Sequence, residues 1–330
     1  MRQSSLTGFE KYTKKTRKEQ FLEEMDRIIP WTELTRALKP YYPDPTGPGR
    51  RPKGLVRMLR IYFMQHWFNL SDPGMEEALY DSRVMRDFAG IDLGKEAAPD
   101  ETTILNFRHL LEARDTGAEL LRLVNVYLAE NGMKVSRGTT VDASIINAPS
   151  STKNRDQARD LDMHQTKKGN QWYFGMKLHI GVDSRTKLVH SAVATAANVH
   201  DSQVLDDLLH GKETRVWGDS AYSGQTEVMR RVAPCAQDFT QHKSSRYRTL
   251  SARERSRNRT KSRVRSRVEH VFHVLKCRFG YTKVRYRGLE KNANHLFAEV
   301  EITAEQGSAL PVSYRNFKVT FENGIYSELP

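Results

Sequence analysis

A change of periodicity near Gly132 constrains this chain more than any other feature. Before it, apolar residues recur at the 3.6-residue spacing of amphipathic helices. After it, β-branched residues gather in short runs bounded by turn formers. Upstream, helices are expected over Lys18–Ile29, Thr32–Tyr41, Leu55–Phe68, Gly74–Asp81 and Arg83–Phe88, then from Asp100. A further one over Ala118–Glu130 ends on Asn131-Gly132 as its C-cap. Tyr42-Pro-Asp-Pro-Thr-Gly-Pro-Gly-Arg-Arg-Pro52 is saturated with Pro and Gly and reads as a linker. Residues 1–48 are therefore expected as an N-terminal basic segment and linker, and residues 49–132 as an all-α domain. Arg51, Lys53, Arg57 and Arg60 at its entrance suit a helix-turn-helix in contact with DNA; a packing or dimer module is the other reading.

Downstream, Thr139-Thr-Val-Asp-Ala-Ser-Ile-Ile146 is a strand that stops at Asn-Ala-Pro. Residues 149–171 are polar and basic and are expected as a mobile loop. Trp172–Val182 and Lys187–Thr195 pair as a hairpin across Asp183-Ser-Arg-Thr186. Asp201–Leu209 follows as a helix capped by Asp201, and Arg215-Val-Trp-Gly-Asp219 as a short buried strand ending in an acid. Tyr222–Arg231 returns to helix, Asp238–Gln241 is a short strand, and Ser262–Lys276 is a helix. Three consecutive antiparallel strands, then strands joined through helices, are the layout of a ribonuclease-H-like α/β domain. The expected fold is thus a mixed sheet flanked by helices over residues 133–297, preceded by the all-α region. In such a sheet the ends of the first and fourth strands meet, which brings Asp142 and Asp219 together.

Charge narrows the partner. Lys plus Arg number 53 against 40 for Asp plus Glu, a formal charge of +13, and the excess favours a polyanion. It is concentrated between Lys243 and Arg287, where the only acids are Glu254 and Glu269. Such density is a footprint for a phosphate backbone. Cys235 and Cys277 supply neither a disulfide framework nor a zinc ribbon. With no apolar core of a signal peptide and no apolar run of membrane-spanning length, a soluble cytoplasmic protein without membrane contact is expected.

On the Ser262–Lys276 helix, Val264, Val268, Val271, Phe272, Leu275 and Phe279 form a core-facing stripe, with Arg265, Lys276 and Glu269 along its border. Taken alone, Arg265 and Glu269 are an ordinary i,i+4 ion pair. Asp142, amid β-branched neighbours, is costly to bury unless paired or metal-bound, and otherwise turns to solvent. Asp219 is equally suited to capping the helix that follows. Elsewhere His200 reads as a cap or a supporting residue of the site, and Asp183 as a turn residue. Trp172, Tyr173 and Trp217 read as strand packing before base stacking, and His164 as solvated loop.

Several segments in order resemble the DDE transposases of bacterial insertion sequences, and among them insertion-sequence family 5. They are Thr139–Ser151, Gly175-Met-Lys-Leu-His-Ile-Gly-Val-Asp183, Ala197-Asn-Val-His-Asp-Ser202, Gly218-Asp-Ser-Ala-Tyr-Ser-Gly224 and Asn292-Ala-Asn-His-Leu-Phe297. Arg265-x3-Glu269-x6-Lys276 joins them, and Pro52–Glu112 is similar to that family's N-terminal region. The resemblance implies a transposase that binds the terminal inverted repeats of its element, cleaves phosphodiesters and transfers strands into target DNA, as a homo-oligomer on duplex DNA. It implies Asp142, Asp219 and Glu269 as catalytic metal ligands for Mg²⁺ or Mn²⁺, and Arg265 and Lys276 as DNA contacts. Two departures stand out. Ser262 replaces the tyrosine of the family signature, and residues 298–330 turn acidic and strand-like where the family continues as a helix. They motivate an alternative, an inactive or co-opted DNA-binding derivative.

Overall fold

The computed structural model describes residues 14–298 apart from 45, 47–50, 115, 131–136, 156 and 246. The C-cap expected at Asn131-Gly132, much of the linker and of the basic segment, and the tail after residue 298 lie outside the described residues. Two compact units form: Met1–Met64 with Leu70–Leu105, and Gln65–Asn69 with Asn106–Pro330. No described helix is long and apolar enough to cross a membrane.

The first unit is helical, as its periodicity requires. α1 (Arg17–Ile28), α2 (Trp31–Leu38), α3 (Leu55–Trp67), α4 (Asp72–Asp81), α5 (Arg83–Ala89) and the start of α6 (Glu101–Glu112) follow in order. A capping box opens α1: Glu19 N donates to Thr16 Oγ1 at 3.1 Å and Thr16 N to the Glu19 carboxylate at 3.3 Å. Leu22, Met25, Leu34, Leu38, Leu59, Phe63, Met75 and Leu79 pack the interior, with the Trp31 ring edge-on to Phe63 and Phe88. Three of the four basic residues expected at a DNA surface are engaged internally, while Arg51 is exposed. Arg60 pairs with Asp26 and donates to Phe88 O at 2.7 Å; Arg57 and Lys53 meet Glu96 at 2.6 and 3.3 Å.

The second unit contains α7 (Thr116–Glu130) and a mixed sheet. Its strands are β1 (Gly138–Asn147), β2 (His164–Lys168), β3 (Gln171–Asp183), β4 (Val189–Ala196), β5 (Arg215–Trp217) and β6 (Gln237–Asp238). β1 runs antiparallel to β3 and parallel to β5; β3 also pairs with β4, and β5 with β6. This is the ribonuclease-H-like order, with α8 (Thr226–Val232), α9 (Ala252–Arg265), α10 (Arg267–His273) and a last helix over residues 289–298 beside it. Val141 and Val216 join Leu205, Leu208, Tyr222 and Met229 in an apolar cluster. Strand alternation therefore turns Thr140, Asp142 and Ser144 to the opposite face.

Four expectations are corrected. Part of the expected loop 149–171 is ordered, because His164–Lys168 pairs antiparallel with the first residues of β3; backbone pairing supplied what the polar side chains did not advertise. The helix expected over Asp201–Leu209 is a short 3₁₀ turn, Asp201–Val204, followed by irregular turns. Its leucines are buried against the sheet without helical continuation. The Ser262–Lys276 helix is neither continuous nor complete. α9 begins at Ala252, the chain breaks at Ser266, and α10 passes into a wider π-type turn over Val274–Arg278. After the break the expected apolar stripe holds, with Val268, Val271, Phe272, Leu275 and Phe279 all buried, whereas Val264, before it, is only half-buried. Trp172 is 65% exposed rather than packed in the core, whereas Trp217 is buried.

Candidate active site

Asp142 sits mid-strand on β1 and Asp219 just past the end of β5. The parallel register pairs Thr140 with Trp217, and each acid stands two residues further along, so they arrive level on neighbouring strands and on the same face. Asp219 leaves the strand at Gly218, where a Cβ would lie 3.0 Å from the Tyr222 ring. The acid then accepts from Ala221 N at 2.8 Å and opens the turn Ser220–Tyr222. Asp219 thus caps this short turn rather than the helix α8, which begins at Thr226 with Gln225 before it.

Glu269 comes from α10, whose buried Val268, Val271 and Phe272 anchor the helix. Arg265, the last residue of α9, joins the two elements. Its Nη1 donates to Asp142 Oδ2 at 2.6 Å and its Nη2 to Glu269 Oε1 at 3.2 Å. The i,i+4 pair read from the sequence is thus half of a fork whose other prong reaches 123 residues back along the chain. Arg265 faces the acids, and its Nε is buried without an acceptor. Lys276 is also turned inward, donating to Ile145 O of β1 at 2.9 Å. Burial, with Lys168 adding to it, lowers the pKa of that ammonium.

Asp142 is under electrostatic stress. Burial is the largest cause of its pKa rising from 3.8 to about 6; the charges of Asp219 and Glu269 add to it, while Arg265 and the Ala143 N–H oppose it. Its second oxygen accepts from that N–H at 2.8 Å.

A neighbouring polar group escaped the sequence reading as a site. Lys177 Nζ meets Asp201 Oδ1 at 2.8 Å and Val199 O at 2.7 Å, and buried His179 Nε2 meets Thr195 Oγ1 at 2.8 Å. The Tyr222 hydroxyl is buried with no hydrogen-bond partner. Burial, then the charges of Asp201, Asp142 and Asp219, pushes its pKa up. Lys177, His179, Asp201 and Tyr222 all lie in segments noted above for their resemblance, which was the available signal. His200 caps the Asp201 turn, accepting from Ser202 N at 3.3 Å. Buried Asp183 accepts from Arg185 N and Thr186 N, both at 2.7 Å, as a turn residue does. Ser262 accepts from Gln241 Nε2 at 2.7 Å, so its hydroxyl is engaged within the fold.

Among the described residues, no three His, Cys, Asp or Glu side chains stand grouped so as to hold a metal ion. The donor chemistry nonetheless suits a hard divalent cation, since all three ligand candidates are carboxylates.

α9 lies beside these acids and is polar apart from Ala252 and Val264. A capping box of Ser251 and Glu254 starts it, and Asn258, Lys261 and Ser262 bind it to the preceding segment. Arg253, Arg255, Arg257, Arg259 and Arg263 remain exposed.

A family model described as "Transposase DDE domain" matches residues 134–300, and one described as "Transposase domain (DUF772)" matches residues 10–110. Among solved structures the chain is similar to a cryo-EM structure of the piggyBac transposase synaptic complex with hairpin DNA. The identity is 8% and the TM-score 0.44, over 87% of this chain and 73% of that one.

Proposed function

We propose, from the premise that the chain belongs to the transposase DDE-domain family, that it cleaves duplex DNA at the terminal inverted repeats of its element and joins the ends to target DNA. The observation that supports this reading is that Asp142 on β1 and Asp219, just past the end of the parallel strand β5, each stand two residues beyond the Thr140–Trp217 pair, with Glu269 tied to Asp142 through Arg265. Asp142, Asp219 and Glu269 would hold Mg²⁺, or Mn²⁺ in its place. Such an ion supplies charge where the phosphodiester's oxygens become more negative during in-line displacement.

The remaining work falls to the chain's own side chains. The exposed α9 arginines grip backbone phosphates and bring a strand alongside the acids. Lys276, bound to the Ile145 carbonyl, ties the π-type turn to β1 and so keeps α10 at its height on the sheet. Binding both ends of an element calls for a homo-oligomer on DNA.

The test is cleavage of duplexes carrying the element ends with Mg²⁺. Asp142→Ala, Asp219→Ala and Glu269→Ala should each lose nicked product by about 10³-fold or more while still retarding the duplex. Product from all three variants at the wild-type rate would remove the acids from the chemistry. The Ser262 departure favours a second reading, a DNA-binding derivative without catalysis; intact binding with no nicking by the wild type would establish it.

The phosphate grip has its own measurement. Arg255, Arg259 and Arg263 share one stripe of α9. Replacing all three with Ser should flatten the plot of log affinity against log salt by about 0.9 for each lost phosphate contact. An unchanged slope would move the DNA path elsewhere.

A further inference from the structure

We infer that Arg265 is an internal counter-ion, which a divalent cation must displace from Asp142 and Glu269 before the acids can hold it. The inference rests on the reading of those acids as cation ligands. Two observations carry it. First, the fork of one guanidinium engages both carboxylates, at 2.6 Å on Asp142 Oδ2 and 3.2 Å on Glu269 Oε1. It occupies one oxygen of each carboxylate, in a pocket where the Asp142 side chain is only 13% exposed. Second, Arg265 Nε is buried and meets no acceptor. The guanidinium is therefore incompletely satisfied where it lies.

Charge arithmetic points the same way. With Arg265 in place, two carboxylates and one guanidinium leave one net negative charge, and Asp219 adds a second. A divalent cation arriving with Arg265 still seated would meet positive charge at hydrogen-bond distance from two of its ligands. Repulsion at that range is strong in a partly dry site. Withdrawal of the guanidinium removes it. α9 ends at Arg265, and the chain breaks at Ser266, so the side chain hangs from a helix terminus with its outer surface toward solvent. Once released, the guanidinium becomes a phosphate ligand at the edge of the basic helix, and cation loading and DNA grip then reinforce one another.

The test uses the full chain and Ca²⁺, an oxygen-seeking ion suited to binding measurements. Isothermal titration would compare the wild type, Arg265→Gln and Arg265→Lys, with thermal melts in chelator to confirm folding. Arg265→Gln should bind Ca²⁺ about tenfold or more tightly than the wild type, in keeping with a displaced ion pair. Arg265→Lys, which keeps the charge but loses the fork, should fall between them. On the wild type itself, the arginine side-chain ¹⁵N signal that is missing in Arg265→Lys should shift on Ca²⁺ saturation.

Equal or weaker Ca²⁺ binding by Arg265→Gln, or a signal that ignores Ca²⁺, would overturn the inference. If Asp219→Asn still abolishes Ca²⁺ binding in that case, the acids remain the cation site and only the role of Arg265 falls. Absence of Ca²⁺ binding in both the wild type and Arg265→Gln would overturn the inference together with the cation reading on which it rests.

Discussion

Asp142→Asn should abolish end cleavage and at the same time stabilise the metal-free protein by about 2–4 kcal/mol at neutral pH. The gain follows from the sign of the pKa shift. Burial above all lifts the Asp142 carboxyl from 3.8 to about 6, so the folded state holds that proton more tightly than the unfolded chain does. The stability this group contributes is fully present below pH 4 and is lost as pH rises through about 6. An asparagine keeps the shape and the acceptor for the Ala143 N–H but never ionises. Urea denaturation in chelator should therefore show the two proteins converging at pH 4 and diverging by pH 7. A variant less stable than the wild type at pH 7, or a gap that does not change with pH, would mean that Arg265 and the Ala143 N–H already compensate the charge. A site that tolerates such stress without its ligand trades stability for function.

Gly175→Ala should cost at least about 3 kcal/mol and remove most of the soluble folded protein. Gly175 lies in β3 opposite Asn147 at the end of β1. A Cβ there would stand 2.0 Å from Ile146 O, 3.0 Å from Ala148 N and 3.1 Å from Asn147 Cα. All three are backbone atoms of β1 or of the residue just past its end, so no side chain can rotate away to make room. Separation of β3 from β1 would propagate along the ladder to the Asp142–Ile180 pair and displace the acid from Asp219. Chemical denaturation reads the effect directly; a loss under 1 kcal/mol would show that β1 can shift without penalty.

The helices of the first unit, β1, the hairpin of β3 and β4, and the apolar stripe through Val268, Val271 and Phe272 were legible in the sequence. Each depends on spacing within a single element, and local periodicity encodes which face is buried. β2 was not legible. His164–Lys168 has neither alternation nor β-branched residues enough to mark a strand, and its pairing with β3 is a backbone contact made after the chain has turned back. The Asp201 turn failed for a related reason: Val204, Leu205, Leu208 and Leu209 carry helical spacing, yet they fill a space beneath the sheet that an irregular segment reaches equally well.

The three acids show the same division. Their residue types and segments could be named from the chain, because a carboxylate among valines, or alone among arginines, is anomalous wherever it occurs. Their mutual placement could not. It came from the parallel register of β1 with β5, whose Thr140–Trp217 pair lies two residues before each acid, and from the packing of α9 and α10 on β1, which lets Arg265 join Asp142 to Glu269. Sequence alone therefore determined the fold class, the family resemblance and the excess of positive charge, all of which are local or additive properties. Tertiary structure alone decided that Arg265 and Lys276 face the sheet while five other arginines of α9 face solvent. The direction of a side chain depends on what packs against its helix, and no single segment contains that information.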